Sequence, residues 1–104
     1  MAAKLSSPDA GAMRKTIDQL RSKLGSVVIV LGGSDGNKVT FVAGVSPDLT
    51  DRLHAGNLVK SVAEVAGGRG GGRPDMAQAG APDATKLDAA IESVVSAVEA
   101  QLNG

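Results

Sequence analysis

Residues 27–44, VVIVLGGSDGNKVTFVAG, decide the fold. A β-branched run from Val27 to Leu31 and a second run from Lys38 to Gly44 flank Gly32, Gly33, Ser34, Asp35, Gly36 and Asn37, which is the pattern of an antiparallel hairpin. The first run lacks alternation and so predicts a strand buried on both faces, while the second is more mixed. Such a strand needs covering elements, and the flanking sequence supplies them.

Upstream, Ser7, Pro8 and Asp9 form a helix-start signal: a capping oxygen, a proline suited to the first turn and a carboxylate favoured by the helix dipole. Met13, Ile17, Leu20 and Leu24 then recur at helical spacing, and Gly25 is a natural stop. Downstream, Ser46, Pro47 and Asp48 repeat the start signal. Leu58, Val59, Val62 and Ala63 make the apolar stripe of a helix ending near Ala66, with Gly56 weakening any single helix over 47–66. Ala81, Pro82 and Asp83 lead into a last helix carrying Leu87, Ile91, Val94, Val95, Val98 and Leu102. Met76 to Ala79 is short enough for an extra strand beside the hairpin. The expected architecture is an α/β (α+β) sandwich: a small mixed sheet built on the hairpin, about three covering helices, and a glycine-rich loop before a short third strand. Residues 1–6 are read as a flexible or appended start and 7–104 as one domain.

Composition narrows the function. The 104 residues include 14 glycines, nearly double the usual share of about 7%, and one aromatic, Phe41. Eleven Lys and Arg cancel eleven Asp and Glu, so net charge gives no argument for a polyanionic partner. The balance is local, with an excess of +3 over residues 1–82 and −3 over 83–104. Without cysteine there is no disulfide, thiolate zinc site or cysteine nucleophile, and a single histidine cannot form a metal cluster. No apolar run is long enough for a signal peptide or a membrane span, which leads to the expectation of a soluble cytoplasmic domain with no membrane partner.

Catalytic candidates are thin. His54 reads as a surface or satisfied histidine, Asp48 as part of a helix start, Asp51 as solvated, and Asp35 and Asn37 as turn residues. No nucleophile, base and orienting group stand together, so no catalytic residue is assigned.

The segment 67–80, GGRGGGRPDMAQAG, is different. Glycine lets a backbone approach a ligand closely, successive exposed amides can make a concave anion site, and Arg69 and Arg73 would add charge-assisted bonds to phosphate. It is not a P-loop, because the terminal Gly-Lys-Ser/Thr is missing and the segment follows a helix. It is not a dinucleotide fingerprint either, because the third glycine would fall on Arg73. A flexible linker is the plain alternative, against which stand Pro74, Asp75, Met76 and Gln78 in a compact tail.

That segment, preceded by FVAGVSPDLTDRLHAG (41–56) and AGNLVKSVAEVA (55–66), resembles the carboxy-terminal globular, DHH-associated domain of bacterial alanyl-tRNA synthetases. The resemblance covers nearly the whole chain and departs at Ala81, where the family often has a second glycine. It implies a non-catalytic tail of a longer enzyme, with ATP and zinc belonging to absent upstream domains and no cofactor here. The partners it implies are tRNA(Ala), met at its outer corner, and the upstream domains of the same synthetase. Related phosphoesterase domains usually carry histidine where Arg73 stands, which favours the synthetase branch.

With no Tyr or Trp, successive bases have no stacking platform, so recognition should be by backbone and shape. The candidate nucleic-acid contacts are Lys60, Arg69, Gly70, Gly71, Gly72, Arg73 and Gln78. A reading from a different class is association through the Val94, Val95, Val98 and Leu102 helix, with another copy or with upstream helices, and a third is a nucleic-acid-binding accessory domain of a DHH-type phosphoesterase.

Overall fold

The hairpin forms and lies at the centre of a five-stranded sheet. In the computed structural model, which describes residues 2–5 and 9–103, β2 (Val28–Ser34) and β3 (Val39–Val45) pair antiparallel from Val28↔Val45 to Ser34↔Val39. β2 runs three residues past the apolar run because Gly32, Gly33 and Ser34 continue the ladder. Phe41 explains the first of these: a Cβ on Gly32 would lie 2.9 Å from the Phe41 ring and from Ile91 Cδ1. In the connecting turn the Asp35 carboxylate accepts from the N–H groups of Asn37 and Lys38 at 2.9 and 3.1 Å, and Gly36 takes φ 96°.

Two further strands depart from the sequence reading. Ala2–Leu5, expected to be a flexible start, forms β1, an edge strand parallel to β2 with Ala2 opposite Val30 and Leu5 opposite Gly33. Parallel neighbours need a crossover, and α1 (Ala10–Leu24) supplies it. The glycine-rich segment is not a loop. Arg69–Gly72 forms β4, paired antiparallel with β5 (Met76–Ala81), and the sheet order is β1-β2-β3-β5-β4. β5 is the expected third strand, lengthened by two residues and paired with β3.

Helices cover both faces. The expected capping residue Ser7 and Pro8 lie outside the described residues; Asp9 caps α1, its Oδ1 accepting from Ala12 N–H at 3.1 Å. Met13 and Ile17 are buried, Leu20 is half-buried, Leu24 is exposed, and Gly25 ends the helix at φ 72°. On the other face lie α2 (Ala55–Val65) and α3 (Leu87–Asn103). The proline-containing start at Pro47–Leu49 makes only a 3-10 turn, and His54 caps α2.

The sheet separates two cores. Phe41, Val30, Val39, Ala43 and Val45 pack under Leu58, Val59 and Val62 of α2 and Ala90 and Val94 of α3. Ile29, Leu31 and Val42 pack under Met13 and Ile17 of α1. One helix covers one face and two cover the other, which leaves part of the first face open.

Candidate nucleic-acid interface

The register shows which residues occupy that open part. Residues directly opposite one another on neighbouring strands share a face of the sheet. The pairs Ala3↔Leu31, Leu31↔Val42, Val42↔Gln78 and Gln78↔Gly71 therefore form one row across all five strands. α1 covers Leu31 and Val42, whereas Gln78 and Gly71 are exposed. Arg69 stands opposite Gly80 on the same face, and Arg73 opposite Met76, its N–H donating to Met76 O at 3.2 Å to close the Pro74–Asp75 turn. Gly70 and Gly72 belong to the other face, opposite Ala79 and Ala77.

These glycines serve different purposes. A Cβ on Gly70 would fall 2.3 Å from Ala79 Cβ and 2.5 Å from its Cα, and one on Gly72 would fall 2.8 Å from Ala77 Cβ. On α2, a Cβ on Gly56 would lie 2.7 Å from Gly72 O, so helix and strand meet backbone to backbone. Gly71 differs: a Cβ there would have no heavy atom within 4 Å, and its φ is not positive. The fold gives no reason for glycine at 71. The extended strand also corrects the picture of a concave amide nest, since successive peptide groups in a strand alternate in direction. The N–H groups of Gly67 and Gly68 are already bonded to Glu64 O and Ala63 O at 3.1 and 2.8 Å.

The turn beyond β4 is held from α1. Arg21 donates from Nη1 to Val45 O at 3.3 Å and to Asp75 O at 3.2 Å, while its Nη2 pairs with Asp18 at 2.5 Å. The Asp75 carboxylate lies 3.6 Å from Arg73 Nε. Arg14, one turn before Asp18 on the same helix, joins Gly71, Gly72, Arg73, Met76 and Gln78 around a concavity of about 290 Å³. Arg69 borders a second concavity of about 550 Å³ with Gly67, Gly68, Gly80, Ala81 and Pro82. The structure thus brings Gly71, Gly72, Arg73 and Gln78 together and sets Arg69 four residues along the strand. Lys60 is exposed on α2, in the layer on the opposite face, and borders neither concavity. Arg14 is the residue that sequence reading missed.

Residues 1–100 match the family model of the DHHA1 domain. The chain belongs to the DHHA1 domain family. This DHHA1 domain is 50% identical over 102 residues to an alanine–tRNA ligase of Burkholderia mallei and 50% identical over 103 residues to one of Desulforamulus reducens. Each match takes in 98% of this chain and 12% of the relative, so the chain spans 12% of the length of these proteins, in their carboxy-terminal region. The fold of the DHHA1 domain is that of the C-Ala domain from Aquifex aeolicus alanyl-tRNA synthetase, with a TM-score of 0.82, 29% identity, and coverage of 99% of this chain and 89% of that one. The resemblance read from residues 41–80 is thereby borne out.

Elsewhere in this DHHA1 domain the polar residues serve the fold. His54 Nδ1 accepts from Asn57 N–H at 3.1 Å, and its backbone N–H and C=O bond the Gln101 amide at 2.9 and 3.2 Å, so it is the satisfied histidine anticipated from sequence. Hydrogen bonds from the Ser26 and Ser46 hydroxyls hold the Asp48 carboxyl below the usual aspartate range. Backbone N–H groups of Asn37 and Lys38 do the same for Asp35. Among the described residues no group of three or more His, Cys, Asp or Glu is placed to hold a metal, and no helix is long and apolar enough to cross a membrane.

Proposed function

We propose that this chain is the tRNA-binding carboxy-terminal module of a cytoplasmic alanyl-tRNA synthetase. In this reading it contacts the outer corner of tRNA(Ala) and helps aminoacylation and editing act on one bound tRNA. The chain supplies contacts and no chemical step; ATP and zinc belong to upstream domains. The relatives named above support the parent enzyme. The observation that carries RNA binding is Gly71, a glycine that packing does not require, lying between Arg69 and Arg73 on an open sheet face beside Gln78. A bare backbone there admits close approach of a sugar-phosphate chain, and the arginines suit phosphate geometry. Phe41 is fully buried, which leaves no aromatic side chain to stack a base and favours recognition by shape. Tethering to the rest of the enzyme would turn modest affinity into an effective second contact on the same tRNA.

Titration of the chain with folded tRNA(Ala) across a salt series tests this reading. Arg69→Ala with Arg73→Ala should weaken binding roughly tenfold and flatten the salt dependence by about one unit of log–log slope per arginine, with an unchanged melting temperature. Wild-type affinity and slope in the double variant would remove β4 from the binding surface.

A second reading, self-association, rests on Val95, 63% exposed, and Leu102, 43% exposed. Val95 borders an apolar groove with Ala2, Val28 and Val98, while Val94, also counted in the expected strip, is buried in the core. Sedimentation velocity over a wide concentration range decides it, a monomer throughout counting against pairing.

A further inference from the structure

The cancelled net charge conceals a separation across the sheet. α1 carries Arg14, Lys15, Arg21 and Lys23 against Asp18, a net of +3, and the β4–β5 hairpin on the same side adds Arg69 and Arg73 against Asp75. On the opposite side α3 carries Asp88, Glu92 and Glu99 with no basic residue of its own; Lys4 of β1 pairs with Asp88 at 2.7 Å, which leaves a net of −2, and the charges of α2, Lys60 and Glu64, cancel. Basic groups are thus in excess on the α1 side and acidic groups on the α3 side of a molecule whose shortest extent is 20 Å. Such a separation orients an approaching polyanion even at zero net charge.

We infer that RNA is met by the α1 side of the sheet, with Arg14 and Lys15 extending onto the helix the surface that begins at Gly71, Arg73 and Gln78. This rests on the tRNA-binding reading and deepens it by naming the face and two further contacts. Arg14 borders two concavities, the one it shares with Gly71, Arg73 and Gln78 and another along α1 that includes Lys15, Asp18 and Gln19. It therefore links the strand to the outer ridge of the helix. The acids nearby are already engaged: Asp18 with Arg21, and Asp75 with Arg73. Among the described residues Arg14 and Lys15 make no ion pair, and both are exposed. A phosphate can therefore reach both cations without first breaking an internal bridge. The acidic α3 side repels RNA and faces away from it.

The deciding experiment compares pairs of substitutions in the 104-residue chain, titrated with folded tRNA(Ala) over a salt series. Arg14→Ala with Lys15→Ala should raise Kd roughly tenfold and reduce the slope by about one unit per lost phosphate contact, with no loss of thermal stability, since both positions are exposed on a helix that favours alanine. Arg14→Lys with Lys15→Arg keeps the charge and should restore most of the affinity. Lys60→Ala, on the other side, should change Kd less than twofold. Wild-type binding by the Arg14→Ala, Lys15→Ala pair, while Arg69→Ala with Arg73→Ala still weakens it, would overturn the inference and leave the tRNA reading standing. If neither pair changes binding, the tRNA reading itself falls.

Discussion

On the α2/α3 side of the sheet the inward positions of β3 and β5 are filled. Phe41, Val39, Ala43, Ala77 and Ala79 are buried, and even the glycines there are fixed by contact, since Gly70 and Gly72 sit where a methyl group would strike Ala79 or Ala77. On the α1 side, Leu31 and Val42 are buried while Gln78, Gly71, Arg69 and Arg73 in the adjoining strands are exposed. The same five residues, RGGGR (69–73), thus present packing glycines to one side and an open glycine between two cations to the other. The period of two in a strand lets one short segment serve both a core and a binding surface.

The largest effect should come from the filled side. Phe41→Ala removes the only aromatic ring from a site with no exposure in the larger of the two cores. Truncations of this kind cost about 3–5 kcal/mol. Denaturant unfolding of the wild type and the variant measures the loss. A cost under about 1 kcal/mol would mean that this core repacks freely, and the contrast between the sides would weaken.

A finer break in the comparison needs two adjacent positions. Gly70→Ala should destabilise the chain by about 1–3 kcal/mol, the usual cost of forcing extra atoms into a packed site, because its methyl meets the Ala79 backbone rather than a flexible chain end. Gly71→Ala should leave stability unchanged or raise it by about 0.4–1 kcal/mol, because the unfolded chain loses freedom and the folded one loses nothing. In RNA titration the order inverts. Gly71→Ala should weaken binding several-fold although it strengthens the fold. Equal destabilisation by both changes would erase the distinction between the two sides of β4, and full-strength binding by Gly71→Ala would remove close backbone approach from the recognition.

How much of this could be read beforehand follows from the same physics. The hairpin and the helices announce themselves by local period: the β-branched run at 27–31, and Met13 with Ile17 or Leu58 with Val62 at helical steps. β1 and β4 do not. AAKL is too short to show a period and becomes a strand because β2 offers it an edge; RGGG has poor intrinsic strand propensity and becomes one because Gly56, Gly70 and Gly72 allow close backbone approach. The binding surface splits the same way. Arg69, Arg73 and Gln78 were visible as a cluster in one segment, but the side each occupies depends on a register set by β5. Arg14 carried no signal, because nothing in the order of residues places its side chain at the concavity of the β4–β5 hairpin. Lys60, near the glycine segment in sequence, lies on the opposite layer.

The smallest effect concerns the central hairpin that both sides share, and acid should loosen it without favouring either. Asp48, bonded by Ser26 and Ser46, lies near the β3 exit, and Asp35, bonded by the amides of Asn37 and Lys38, lies in the turn at the other end. Both carboxyls are held below the ordinary aspartate value of 3.8. As pH falls past that value the unfolded chain takes up protons that the folded chain still excludes, so the unfolded state binds more protons and stability drops with pH. The contribution is whole above the ordinary value and gone once pH has passed below the folded value. Both groups are exposed, so the effect should be small. Carboxyl carbon resonances followed from pH 6 downward, over a range of roughly four units that brackets ordinary carboxylates, give each midpoint directly. Ser26→Ala should move the Asp48 midpoint up toward 3.8 and leave that of Asp35 in place. A native Asp48 that already titrates at 3.8, or one that ignores the loss of Ser26, would show that the serines do not hold the β2–β3 junction through this carboxylate.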